Sequence, residues 1–281
     1  MTRADMHLTP AHFYLRITSP EKVLIMRRDP VFLFVTESPE SPENLQIIRR
    51  AESVLSDYLD LSTKYQCPTV RVTISPALTS SAILPTIRLS IKNIPGAQME
   101  VLTPPAEIER CLRNRSSLFP ESLVIFLAEQ SLQFAFVQNG KLMWLMSLNC
   151  GPALLNQRFL RHDPPETAEL IALRQYVTSE LDRLTWNHLP PTIEFVSDVT
   201  CALARVCSWL VSPDNSFTLR QIELKTALPT LLIQYQKSFI AQLADESDYA
   251  RMLIPTAILC EHLLDYLGLE RIAVRPCAPL G

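Results

Sequence analysis

SLVIFLAEQSLQFAFVQNGK, residues Ser122–Lys141, decides how the chain is read. The apolar run Leu123–Leu127 meets a polar break at Ala128-Glu129-Gln130-Ser131. A second run, Leu132–Val137, ends in Asn139-Gly140, and a third covers Leu142–Leu148. Short apolar runs divided by turn residues predict strands, and Asn-Gly between two of them predicts a tight hairpin. The second half of the chain is therefore expected to be built on a three-strand meander.

Outward from that core, the rest of the second half alternates helix and strand. Glu166–Leu184 places Leu170, Leu173, Val177, Leu181 and Leu184 at helical spacing. Thr192–Val196 reads as a strand followed by a helix from Asp198, whose carboxylate is expected to cap it. Leu228–Leu243 reads as an apolar helix. Gly268 is expected to end a further helix, with Ile272–Val274 as an edge or closing strand.

The first half has a related order. Met1–Ala11 is read as a disordered polar tail without an apolar signal-peptide core. Strands are predicted at Phe13–Ile17, Val23–Met26 and Val31–Val35. A helix capped by Ser41 follows and ends near Cys67-Pro68. Then come a strand at Val70–Ile74, a helix over Thr79–Ile91 interrupted or kinked at Pro85, a strand at Gln98–Leu102 and a helix at Ala106–Arg113. A strand meander followed by α/β alternation implies mixed sheets flanked by helices. The expected domains are 12–117 and 118–281.

Composition narrows the function. The formal net charge of −3 over 281 residues supplies no basic field for nucleic acid. No apolar run approaches the roughly 20 residues needed to span a bilayer. Seven scattered cysteines, with no C-x-x-C, fit reduced thiols in the cytoplasm rather than a zinc framework. His162-Asp163 is the one tempting dyad, in a loop before Pro164-Pro165. There are five glycines, where a typical share of about 7% would give roughly 20. Glycine lets a backbone bend closely around a phosphate, so a cradling loop has little material here.

Leu263–Val274 and Ser147–Pro165 resemble stretches of the Ppx/GppA phosphatases, the exopolyphosphatases and guanosine pentaphosphate phosphohydrolases. Leu263–Val274, LLDYLGLERIAV, matches that family's L-L-x-x-L-G-L-x-R-I-x-V. Ser147–Pro165 resembles its S-L-P-x-G segment followed by D-P-P. The resemblance implies two ribonuclease H-like halves of the actin-like ATPase superfamily. The phosphate-handling residues do not follow. Against D-I-G-G-G-S-T-E the chain has Phe126-Leu127-Ala128-Glu129-Gln130-Ser131-Leu132-Gln133, which keeps only Ser131. Arg16 stands for the Asp that ends the family's opening strand, with Thr18-Ser19-Pro20-Glu21 for its G-S-N-S loop. Thr79 stands for a phosphate-facing Arg, and Phe195–Val199 for G-T-G-G-T. Ala106 falls at the proposed general base, with Glu107 beside it.

These departures imply a scaffold without phosphohydrolase chemistry: a binding or scaffolding protein, as a homodimer or with another cytoplasmic protein, needing no cofactor. Two other readings stay open. One is an active hydrolase of polyphosphate or guanosine pentaphosphate using Mg²⁺, with Glu107 as base and Ser131, Arg16 and Arg110 as ligand contacts. The other is a sensor that binds nucleotide or polyphosphate without hydrolysis, which the missing glycines disfavour.

Overall fold

The computed structural model describes residues 1–33, 42–79, 81, 83–92, 94–112, 121–185, 189–211, 218–233 and 249–277. The chain divides into two compact units, Met1–Arg115 and Ser116–Cys277.

The first unit is a five-stranded sheet. Its strands are β1 (Arg3–Leu8), β2 (His12–Thr18), β3 (Val23–Pro30), β4 (Thr69–Ile74) and β5 (Ala97–Val101), in the order β3-β2-β1-β4-β5. β1, β2 and β3 form an antiparallel meander, and β4 and β5 add in parallel beside β1. Helix α1 (Pro42–Lys64) connects the meander to β4. Helix α2 (Leu84–Lys92) connects β4 to β5, and α3 (Pro104–Leu112) follows. Parallel neighbours require such crossovers.

Alternation along β1 separates two faces. Ala4, Met6 and Leu8 join Phe13, Leu15, Ile17, Val70, Val72 and Ile74 in one buried core with Leu55 and Tyr58 of α1 and Ile87 and Ile91 of α2. Removing such side chains from water stabilises by about 1.5–3 kcal/mol each. The buried Tyr58 hydroxyl pins α1 to the meander, at 2.8 Å from the Phe13 carbonyl and 2.7 Å from Asp29.

The expected tail at Met1–Ala11 is thus corrected: Arg3–Leu8 is the central strand of the sheet. Its alternation of apolar with polar residues buries one side against the helices, which a disordered tail could not do. The strand expected at Val31–Val35 is also corrected, since Val31–Leu33 has no strand structure and the remainder lies outside the described residues, as does Ser41. The helix expected over Thr79–Ile91 starts only at Leu84, so it is interrupted rather than kinked at Pro85, which lies in the first turn of α2, where no intrahelical N–H bond is needed.

The second unit repeats the plan. Strands β6 (Glu121–Leu127), β7 (Leu132–Gln138) and β8 (Lys141–Leu148) are the predicted meander. Asn139 and Gly140, with φ of 50° and 74°, make the tight turn between the last two. Helices α4 (Pro152–Phe159) and α5 (Thr167–Leu181) lead to β9 (Ile193–Val196), and α6 (Asp198–Val211) leads to β10 (Thr218–Arg220). Then come α7 (Gln221–Ile233), α8 (Ala250–Leu267) and β11 (Arg271–Arg275). The sheet order is β10-β11-β9-β6-β7-β8. Apart from β10, this is the order of the first sheet: a meander, then two parallel strands beside its first strand. β11 lies between β9 and β10, so it is an interior strand rather than an edge. The part of the predicted 228–243 helix beyond Ile233 lies outside the described residues.

Candidate functional site

The face of the first sheet opposite α1 and α2 is polar. Paired residues share a face, and register places Arg28, Tyr14, His7, Thr73 and Glu100 in one row across all five strands. The neighbouring row holds Arg16, Asp5 and Arg71. Asp5, His7 and Thr73 are at most 3% exposed. Buried polar groups persist only when hydrogen-bonded, and these are.

Helix α3 supplies two partners one turn apart. Arg110 Nη1 donates to Thr73 Oγ1 over 2.9 Å. Glu107 Oε1 lies 3.5 Å from His7 Nε2, whose other ring nitrogen is 3.1 Å from Thr73 Oγ1. Asp5 Oδ2 accepts from Arg3 at 2.8 Å and faces Arg16 at 3.8 Å. Farther along, Arg28 Nη2 donates to His12 Nε2 over 3.1 Å. Burial, with Arg28 and then Arg50 nearby, pushes the His12 imidazole down to about 3, so it is neutral.

Of the residues singled out from sequence, Glu107 and Arg110 therefore meet on one side of His7 and Thr73, and Arg16 lies on the same face through Asp5. Ser131 belongs to the second unit, where its Oγ accepts from Gln133 Nε2 over 3.0 Å. The His162-Asp163 dyad does not form: His162 Nδ1 lies 3.0 Å from Glu169, whose carboxylate also accepts from the Arg161 and Glu166 amides. The sequence reading missed Asp5, His7, Thr73 and His12. The alternation Ala4-Asp5-Met6-His7-Leu8 was the available signal.

Three bends, Thr9–His12, Ala128–Ser131 and Ser197–Asp198, make backbone contacts within their own units. The bend after β1 is Thr9-Pro10-Ala11-His12, and Thr18-Ser19-Pro20-Glu21 is the next hairpin. Thr9 N–H donates to the His12 carbonyl over 2.9 Å, and His12 N–H donates to Thr9 Oγ1 over 3.0 Å. Pro10 has no N–H. In the second loop Ala128 N–H donates to the Ser131 carbonyl over 3.0 Å, and the Glu129 carbonyl accepts from Ala153 N–H over 2.8 Å. In the third, Ser197 rather than Asp198 caps α6: its Oγ accepts from Thr200 N–H over 3.4 Å. Asp198 instead accepts from Cys277 N–H over 3.2 Å.

A Mg²⁺ ion takes oxygen ligands with one or two carboxylates at their centre. Asp5 faces two arginines and Glu107 faces a histidine, and no three His, Cys, Asp or Glu side chains converge among the described residues. Asp5 and Glu107, so engaged, do not offer that ion a carboxylate pair. Among the described residues no helix is long and apolar enough to cross a membrane.

No family model and no curated protein matches the sequence. Solved structures do. An exopolyphosphatase from Cytophaga hutchinsonii superposes with a TM-score of 0.78 at 18% identity, over 99% of this chain and 95% of that one. A Ppx/GppA family member from Aquifex aeolicus gives 0.74 at 19% identity, over 99% and 94%. An exopolyphosphatase-like protein gives 0.78 at 14% identity, over 100% and 96%. From end to end, this chain has the fold of the Ppx/GppA exopolyphosphatase structures.

Proposed function

We propose that this chain uses the exopolyphosphatase fold without its phosphohydrolase chemistry, as a cytoplasmic binding or scaffolding protein that pairs with a second copy of itself or with another protein. The observation that carries this reading is the Thr9–His12 turn. Two of its three amides, those of Thr9 and His12, bond within the turn, and Pro10 brings none. Anions are held at such bends by converging free N–H groups. Phosphoryl transfer depends on donors, metal and base acting together, and losing one donor alone costs about 10²–10³ in rate. Asp198 adds a carboxylate at the start of α6, where it would repel an incoming phosphate.

A second reading is an active hydrolase with relocated groups, favoured by the approach of Glu107 to His7 with Arg110 one turn away. A phosphate-release assay on polyphosphate and guanosine pentaphosphate with Mg²⁺ separates the two. The scaffold reading expects no release above background. Turnover abolished by Glu107→Gln would overturn it and establish the hydrolase.

A further inference from the structure

We propose that His7 and Glu107 hold one proton between them, and that this proton fastens the first turns of α3 to the sheet. The argument is a count of hydrogens at Thr73. A hydroxyl has one hydrogen and two lone pairs. Thr73 Oγ1 lies 2.9 Å from the Met6 carbonyl, 2.9 Å from Arg110 Nη1 and 3.1 Å from His7 Nδ1. A carbonyl only accepts and a guanidinium only donates. Thr73 therefore gives its hydrogen to Met6 and receives one from Arg110. The remaining lone pair requires a donor, so His7 Nδ1 carries a hydrogen.

That assignment leaves Nε2 to face Glu107 Oε1 at 3.5 Å. Without a further hydrogen, a nitrogen lone pair would oppose a carboxylate beside a side chain that is 1% exposed. A proton on either atom turns this repulsion into an attraction. The surrounding charges oppose one another. Asp5 lies on the same face of β1, flanked by Arg3 and by Arg16 of β2. Arg71 of β4 is in the adjacent row, Arg110 approaches from α3, and the Tyr14 ring is centred 6.2 Å from His7.

Helix α3 thus has a fixed fastening and a titrating one. The Arg110–Thr73 bond persists at any ordinary pH, because a guanidinium stays charged. The Glu107–His7 contact requires the shared proton and is lost without it. Glu107 then turns outward and the start of α3 loosens while its Arg110 end stays docked. This holds whether or not the chain hydrolyses phosphate.

The test is a long-range ¹H–¹⁵N spectrum of the His7 ring in the full chain, recorded with amide exchange from about pH 5 to about pH 9. The expected result is Nδ1 protonated throughout. Exchange protection of the Glu107–Cys111 amides should fall about tenfold as the shared proton is lost, the effect of one charge-assisted contact. In Glu107→Gln the amide can donate to Nε2 without a titrating proton, so α3 should stay protected across the range. An Nε2–H tautomer with bare Nδ1, constant α3 protection in the wild-type chain, or a Glu107→Gln variant that loosens as the wild type does would each overturn the proposal.

Discussion

Gly151 illustrates how a single residue can be fixed by its surroundings rather than by its own conformation. A Cβ placed there would lie 2.2 Å from the Gln130 carbonyl carbon and 2.3 Å from the Ser131 nitrogen. Both are backbone atoms and cannot swing aside. Gly151→Ala is expected to destabilise by about 1–3 kcal/mol or more, read as a lowered thermal midpoint. His12 acts through protonation. In the folded chain it stays neutral down to about pH 3, whereas an unfolded imidazole gains a proton below about 6.5. Between those values the unfolded state binds more protons, so stability rises with pH and is lost on acidification, by about 1 kcal/mol per pH unit. His12→Gln keeps an acceptor for Arg28 but does not titrate. Urea unfolding at about pH 4.5 and about pH 7 should show a smaller acid loss in the variant than in the wild type.

At the scale of elements, patterns with local causes could be read directly. The second meander follows from apolar runs and Asn139-Gly140, and both hairpin residues take positive φ. Helix α5 begins where Glu166 and Glu169 form a reciprocal cap. The first strand could not be read from composition, because its polar residues Asp5 and His7 look like those of a solvated tail. Their partners, Arg16, Thr73 and Glu107, arrive from distant parts of the chain, so only the tertiary fold explains their burial. For the same reason Glu107 and Arg110 could be named from sequence while His7 and Thr73 could not. Removal of Met1–Leu8 is expected to abolish folding of the first unit, seen as lost amide dispersion, because β1 is hydrogen-bonded on both sides. A disordered tail could be removed without effect. Tyr58→Phe removes the hydroxyl that binds α1 to Phe13 and Asp29, and should cost about 1–3 kcal/mol in urea unfolding.

Across the whole molecule, two sheets that share one strand order apart from β10 carry the fold seen in exopolyphosphatase structures. Frame and anion-binding chemistry depend on different residues. The frame needs apolar side chains at alternating positions, which the chain retains. Anion capture needs small residues and unspent amides at a few bends, and the bends after β1, after β6 and before α6 carry Pro10, Glu129 and Asp198. Proteins often place functional groups on loops over a shared scaffold, so loop chemistry can be lost while the scaffold persists. The most direct measurement is a titration of the ¹⁵N-labelled chain with inorganic tripolyphosphate, following the backbone amides of Thr9, Ala11, His12 and Ser197–Thr200. These amides are expected not to shift; saturable shifts centred on them would contradict the account.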